Sequence, residues 1–193
     1  MVLVQSTMLA LKTKAPDFSL SDVVSGKKYS LRDFSGKKAM LVMFICRHCP
    51  YVQHIKDELG RLGRDFGSTV AIVGISSNDA DKYKDDAPES LKEMALQEKY
   101  TFPVLYDSTQ KVAVDYTAAC TPDFFLFDEK NELAYRGQLD DSRPGNGKPV
   151  TGKDLRDAIN AVLSGRPVSE LQRPSAGCNI KWKPGQEPVY FRT

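Results

Sequence analysis

The stretch AMLVMFICRHCPYVQHI covers residues 39–55 and passes from an unbroken apolar run through two cysteines into a mixed pattern. The apolar run has the length and composition of a β-strand that is buried on both faces. After Pro50, apolar residues recur every three or four positions, which predicts an amphipathic helix. Proline is tolerated only in the first turn of a helix, so Cys46 and Cys49 lie where the strand ends and the helix begins.

The sequence beyond this stretch predicts an α/β fold. A second apolar run at Thr69 to Ile75 follows the helix, and a strand, a helix and a strand in this order form a parallel unit. The remaining patterns predict a helix from Pro88, a short strand at Pro103–Tyr106, a helix near Gln110–Tyr116, a hairpin over DFFLFDEKNELAYRG and a last helix at Lys153–Leu163. We therefore expect a central mixed sheet flanked by helices.

The length and composition are those of a globular protein with one domain. At 193 residues the chain is long enough for one sizeable core. We place the domain at residues 15–165, after an N-terminal extension at 1–14, and interpret the proline-containing segment 166–193 as a C-terminal tail packed on the domain. Lys and Arg (27) nearly balance Asp and Glu (25), which gives no sign of a nucleic-acid surface.

The N-terminal sequence and the apolar runs predict a cytoplasmic protein. Residues 1–18 lack the basic start and the uninterrupted apolar core of a signal peptide, and no run is long enough for a membrane helix. Structural disulfides are rare in the cytoplasm, so we expect the four cysteines to serve chemistry or metal binding.

The CRHC motif predicts a reactive pair of thiols. A thiol at a helix start faces unpaired backbone N–H groups and the positive end of the helix dipole, and both stabilise a thiolate. Arg47 and His48 add cationic or potentially cationic groups between the sulfurs. We therefore expect the pKa of Cys46 to be lowered toward the range of roughly 3.5 to 7.5 known for such thiols, with Cys49 near enough to form a disulfide with it.

A metal site is the main alternative for this motif. Two cysteines separated by two residues can form half of a zinc site, but no second pair follows, and Cys120 and Cys178 stand alone. A purely structural disulfide is disfavoured in the expected compartment. The prediction is therefore a redox pair with no metal and no cofactor.

Three motifs resemble a known family. The sequences CRHCPYV, CTPDFFLFD and PSAGCNIKWK are similar to those of small bacterial thioredoxin-superfamily proteins, described as peroxiredoxin-like or redoxin-domain proteins of the AhpC/TSA type. The similarity extends over nearly the whole chain and implies a thioredoxin-like fold. It also implies that Cys46 is the nucleophile, that Cys49 resolves the mixed disulfide, and that Thr121 and Pro122 form the cis-proline dipeptide opposite the motif.

In this family the dipeptide at the cis-proline position contacts the substrate. A cis bond there leaves the preceding backbone free to pair with an extended segment, so Thr121 would dock a partner's strand beside Cys46. The alternative for Pro122 is an ordinary trans proline at the start of a strand.

The chain departs from both well-known branches of the superfamily. Peroxiredoxins have threonine three residues and proline seven residues before the reactive cysteine, where this chain has Met43 and Ala39. Thioredoxin has a buried acid six residues before its nucleophile, where this chain has Met40. These differences disfavour efficient peroxidase activity, and thiol–disulfide exchange is the expected reaction. The alternatives are a thiol peroxidase, a non-catalytic redox sensor and a metal carrier that uses His48.

Two cysteines outside the motif have open roles. Cys120 precedes Pro122 by two residues and is expected near the active surface, as a small apolar filler or as a redox group. Cys178 lies in the tail, which either brings it to the other cysteines as an additional resolving thiol or packs Ile180 and Trp182 on the core. We slightly favour packing.

The expected partners follow from the expected reaction. A disulfide-containing protein or a small-molecule thiol would be the substrate, and a thiol reductant system would regenerate the pair. We expect a monomer or a homodimer that binds neither nucleic acid nor membranes.

Overall fold

The computed structural model describes residues 3–191. The strands in this range are β1 (Leu3–Gln5), β2 (Ser19–Asp22), β3 (Lys28–Ser30), β4 (Ala39–Phe44), β5 (Val70–Ser76), β6 (Val104–Tyr106), β7 (Cys120–Thr121), β8 (Asp123–Asp128), β9 (Leu133–Gly137) and β10 (Ala176–Asn179). The α-helices are α1 (Pro50–Phe66), α2 (Pro88–Gln97), α3 (Lys111–Asp115) and α4 (Lys153–Leu163), and short 3-10 helices cover Leu31–Phe34 and Lys84–Asp86. The elements expected from the sequence patterns are present, close to their predicted positions.

Strand β4 lies in the interior of a seven-stranded mixed sheet with the order β3–β2–β6–β5–β4–β8–β9. It runs parallel to β5 and antiparallel to β8. Helix α1 connects β4 to β5, so the predicted parallel unit is confirmed. Strands β8 and β9 form the predicted hairpin. The predicted α/β fold with a mixed sheet is confirmed.

The packing of β4 explains why its sequence is apolar throughout. All of its residues are buried, because side chains alternate between two cores on opposite faces of the sheet. Leu41 and Met43 lie in a core with α1, α2 and α4, whereas Val42 and Phe44 lie in a second core with α3. In the second core, the Phe44 ring lies 5.6 Å from the Tyr116 ring. The buried strand is therefore a rigid base for the residues that follow it.

Helix α1 carries the buried stripe that its sequence predicts. Pro50 is its first residue and Cys49 is its N-cap. Val52, Ile55 and Leu59 are buried against the first core. Within residues 3–191, none of the helices is both long enough and apolar enough to cross a membrane.

The N-terminal extension and the tail meet in a second sheet of three strands. Strand β10 lies between β1 and β7 and is antiparallel to both. The register places Cys178 opposite Thr121. Gly177 allows this close approach, since a Cβ atom there would lie 2.1 Å from the carbonyl oxygen of Thr121. Ile180 and Trp182 are buried in the second core, as expected for a packed tail.

Candidate active site

The motif cysteines and the Thr121–Pro122 dipeptide meet at one end of β4. Cys46 follows the strand, and Cys49 caps α1. The Thr121–Pro122 peptide bond is cis, as the resemblance implied. The hydroxyl of Thr121 lies 3.2 Å from the Cys46 sulfur, and its carbonyl oxygen lies 3.1 Å from the Cys49 sulfur. One residue of the dipeptide therefore contacts both thiols.

The thiols at this site are reduced and buried, with Cys46 and Cys49 both 0% exposed. Burial raises the pKa of Cys46 well above its ordinary value, and the hydrogen bond with Cys49 and the nearby Asp86 carboxylate act in the same direction. The pKa of Cys49 is lowered instead, because the thiols of Cys178 and Cys46 donate hydrogen bonds to its sulfur. The predicted lowering of the Cys46 pKa is therefore wrong for this buried arrangement.

The side chains of Arg47 and His48, which the sequence analysis expects to lower the pKa of Cys46, are both bonded to acidic residues. The guanidinium of Arg47 donates a hydrogen bond of 2.8 Å to Oε2 of Glu93. The ring of His48 is hydrogen-bonded through Nδ1 to Asp86. Both side chains are thus paired with carboxylates, and their predicted role in tuning the pKa of Cys46 stays a prediction.

Asp86 is a buried acid that holds the loop between the two cysteines. Its Oδ1 accepts hydrogen bonds from the backbone N–H groups of Arg47 and His48, at 2.8 and 3.1 Å. Its Oδ2 is bonded to the His48 ring and accepts a bond of 2.7 Å from Nδ2 of Asn78. Burial raises the pKa of Asp86, but these hydrogen bonds outweigh it and leave the pKa below its ordinary value. The carboxylate is therefore an anion that fixes the loop.

Asn78 links this loop to strand β10. Its side-chain oxygen accepts a hydrogen bond of 2.8 Å from the backbone N–H of Lys181, just after β10. The backbone N–H of Asp79 donates to the carbonyl oxygen of Lys181, also at 2.8 Å. Sequence reasoning missed both Asn78 and Asp86. A usable signal was that Asn78 follows β5, whose carboxyl end lies beside that of β4 in a parallel pair.

Three groups at the site could together hold a metal ion. Ligand atoms of Cys46, His48 and Asp86 all lie within 4.8 Å of one another. Thiolate, imidazole and carboxylate are all ligands of zinc. Both oxygens of Asp86 are already occupied by hydrogen bonds, including the one to the His48 ring, which a metal would have to replace. The expectation that the protein has no metal stays a prediction.

Of the cysteines outside the motif, the structure brings Cys178 to the thiols and leaves Cys120 apart. The Cys178 thiol is hydrogen-bonded to the Cys49 sulfur. The Cys120 thiol donates to the carbonyl oxygen of Pro122 at 3.5 Å, and burial, followed by the charge of Asp123, raises its pKa. These contacts fit the filler alternative for Cys120.

The edge that was expected to receive a partner's strand is covered by the chain itself. Thr121 pairs with Cys178 across β7 and β10. The residue after Thr121, Pro122, is also buried. A partner segment could pair with Thr121 at this edge only if β10 moved away. In this arrangement Thr121 is paired within the chain, and the docking role of the dipeptide stays a prediction.

Asp123, directly after the cis-proline, gives the stability of the fold a pH dependence. Burial raises its pKa to about 7, against the opposing effects of a hydrogen bond from Ala119 and the charge of Arg136. Because this value exceeds the ordinary 3.8, the folded protein binds the proton more tightly than the unfolded chain. We expect the contribution of Asp123 to the free energy of unfolding, taken as the difference between the wild type and Asp123→Asn in urea denaturation, to fall by about 2 to 4 kcal/mol as the pH rises from 4 to 8.

An Asp123→Asn variant separates this effect from other titrating groups. Asparagine cannot lose a proton, so the variant should lack this fall, and its unfolding free energy relative to the wild type should rise over the same pH interval. Asp157 is exposed and provides a matched control, and Asp157→Asn should keep the wild-type slope. An unchanged slope in Asp123→Asn would show that this carboxyl does not titrate between those pH values.

These observations define the class of protein. A mixed sheet, a CxxC motif at the start of α1 and a cis Thr121–Pro122 bond beside it are the features of a thioredoxin-like fold. A solved thioredoxin-like protein that is 18% identical aligns with a TM-score of 0.65 over 82% of this chain and 99% of its own, and shows the same fold. The AhpC/TSA family model matches residues 11–136, and the chain belongs to the AhpC/TSA family. The predicted fold and family are both confirmed.

Three further proteins are similar to this chain. The crystal structure of an uncharacterized conserved protein from Geobacillus kaustophilus is 52% identical, with a TM-score of 0.93 over 95% of this chain and 98% of its own. The thioredoxin-like protein YneN of Bacillus subtilis is 30% identical over 120 residues, or 62% of this chain and 66% of that protein, slightly less than two thirds of its length. The thiol:disulfide interchange protein DsbE of Allochromatium vinosum is 28% identical over 158 residues, 79% of this chain and 77% of that protein.

Proposed function

We propose that this protein is a thiol–disulfide oxidoreductase in which Cys46 and Cys49 form the exchanging pair. The observation that carries the proposal is the contact of the two sulfurs with each other and with Thr121, at the start of α1. The relative named as a thiol:disulfide interchange protein supports this class of reaction. The substrate is a disulfide-containing protein or a small-molecule thiol compound, and a cytoplasmic thiol reductant system regenerates the pair.

The first step is the attack of Cys46 on a partner's disulfide. The Cys46 sulfur lies beside the hydroxyl of Thr121. The proton of the Cys46 thiol passes to the Cys49 sulfur along the hydrogen bond between them. The thiolate bonds to one sulfur of the partner, the partner's S–S bond breaks, and the second sulfur leaves as a thiolate. Because burial raises the pKa of Cys46, the attack depends on this proton transfer.

In the second step, Cys49 resolves the mixed disulfide. Its sulfur attacks Cys46 in the mixed disulfide, its proton passes to the leaving sulfur, and the partner is released as a thiol. The lowered pKa of Cys49 favours the thiolate that this step needs. Two electrons have then passed to the partner's disulfide, and the two cysteines share a bond. Asp86 supports both steps, since it fixes the loop that carries the two sulfurs.

Turnover of insulin disulfides and of hydrogen peroxide, measured side by side with dithiothreitol as reductant, tests the proposal. We expect insulin reduction well above the uncatalysed rate and slow peroxide consumption, since Met43 stands where a peroxidase has its threonine. Fast peroxide consumption with little insulin reduction would replace the proposal with a thiol peroxidase. No turnover of either compound would overturn catalysis and favour a redox sensor.

A further inference from the structure

Cys178 lies within the thiol site although it is far away in the sequence. It is opposite Thr121, the residue that contacts both motif sulfurs. Strand β10 packs against α1, whose N-cap is Cys49. Cys178 is only 3% exposed and belongs to the same core as Cys46 and Cys49. The site therefore contains three neighbouring thiols.

Cys49 is the central thiol of the three. Its sulfur accepts hydrogen bonds from both Cys178 and Cys46. The partners of the Cys46 sulfur are Cys49 and the hydroxyl of Thr121. In this order, Cys49 can form a disulfide with either neighbour.

Strand β10 is held at both ends, so Cys178 is already in position. Before the strand, Ser175 and Ser6 exchange two hydrogen bonds of 3.0 Å each. After the strand, the backbone N–H and carbonyl groups of Lys181 are both bonded to the segment that follows β5. The tail does not have to move for Cys178 to reach Cys49, unlike a thiol carried on a flexible arm.

Resting on the proposed function, we propose that Cys178 is a third redox thiol that takes over the disulfide from the Cys46–Cys49 pair. The Cys178 sulfur attacks Cys49, the bond between Cys46 and Cys49 breaks, and a Cys49–Cys178 bond forms. The proton of Cys178 ends on Cys46, and no external oxidant or reductant is consumed. Cys46 returns to the free thiol while the oxidised state is stored on the Cys49–Cys178 pair.

The electrostatics of the reduced site set the order of events. The hydrogen bond to Cys49, followed by burial, raises the pKa of Cys178, so its thiolate is disfavoured while Cys49 carries the negative charge. Once Cys49 is in a disulfide with Cys46, that charge is gone and no longer opposes ionisation of Cys178. The transfer therefore follows oxidation of the motif. The reductant then has to reduce the Cys49–Cys178 pair.

Disulfide mapping of the wild-type protein tests this transfer directly. The reduced protein is treated with one equivalent of oxidised glutathione, quenched with acid, alkylated with N-ethylmaleimide and digested for mass spectrometry. We expect both Cys46–Cys49 and Cys49–Cys178 disulfides in the wild type, and no Cys49–Cys178 disulfide in Cys46→Ser, because the transfer needs the Cys46–Cys49 disulfide. A Cys46–Cys49 disulfide with no trace of Cys49–Cys178 in the wild type would overturn the third-thiol proposal and leave the proposed function intact.

Kinetics separate a redox role of Cys178 from a packing role. In Cys178→Ser, whose hydroxyl can still donate a hydrogen bond to Cys49 but cannot form a disulfide, we expect steady-state turnover with dithiothreitol to fall roughly tenfold further than the single-turnover attack on insulin does, since only regeneration uses the third thiol as a redox group. Cys120→Ser is the matched control, because Cys120 is equally buried but bonded to a backbone carbonyl. Equal effects of the two substitutions on both rates would assign Cys178 to packing. Absence of any Cys46–Cys49 disulfide or turnover in the wild type would instead refute the proposed function itself.

Discussion

Replacing Cys46 with serine is expected to reduce insulin-disulfide turnover by roughly 1,000-fold or more, because a hydroxyl does not attack a disulfide sulfur at neutral pH. In Cys49→Ser the first step can still occur and the second cannot, so the protein should accumulate as a mixed disulfide with its partner. Mass spectrometry of protein that is mixed with excess oxidised glutathione and quenched with acid should show this adduct in Cys49→Ser and not in Cys46→Ser.

The control for this pair of variants is Cys120→Ser, which removes a buried thiol outside the three-thiol cluster and should keep close to wild-type turnover. The opposite result would identify Cys49 as the nucleophile, since Cys49 has the lower pKa of the two motif thiols. An adduct on Cys49 in Cys46→Ser, together with retained turnover, would reverse the roles assigned to the two sulfurs.

The Asp86→Ala variant is expected to lose about 3 to 5 kcal/mol of unfolding free energy, because the buried carboxylate is removed and the groups that bind it are left without their partner. Two backbone N–H groups in the motif loop and Nδ2 of Asn78 would lose their acceptor. His48 would keep its ring beside the thiols without its carboxylate partner. Urea denaturation of the reduced protein, followed by fluorescence and circular dichroism, measures the loss.

Asp85→Ala is the matched control for this prediction, since Asp85 is the exposed neighbour in the same 3-10 helix. It should change the unfolding free energy by less than about 0.5 kcal/mol. If Asp86→Ala were no less stable than Asp85→Ala, the hydrogen bonds of Asp86 would not hold the loop in solution.

The elements around the motif could be predicted because their signals are local. Strand β4 shows an unbroken apolar run since both of its faces are covered, and α1 shows a single stripe with Pro50 at its start. The Thr121–Pro122 dipeptide came from motif resemblance, because no periodicity reveals a cis bond. These signals were sufficient for the fold and for bringing Cys46, Cys49 and the Thr121–Pro122 dipeptide together.

The rest of the site depends on contacts between distant parts of the chain. Asp86 lies 39 residues from the backbone group of Arg47 that it binds, so the CRHC motif alone could not indicate it. The prediction of a lowered pKa for Cys46 was wrong for a related reason. Burial depends on the packing of the whole chain, and its effect on the pKa outweighs that of the nearby helix N-terminus. The division into 1–14, 15–165 and 166–193 stays a prediction, although the first and last of these segments contribute β1 and β10 to the sheet beside the site.

The place of β10 along the chain has a consequence for how the protein is made. The ribosome synthesises the CRHC motif early, and β10 is the last strand in residues 3–191. A nascent chain therefore displays Cys46 and Cys49 to cellular oxidants and metal ions before the strand that completes their surroundings exists. The finished protein buries the same thiols, so their exposure to adventitious chemistry is greatest during synthesis and falls when this long-range contact closes.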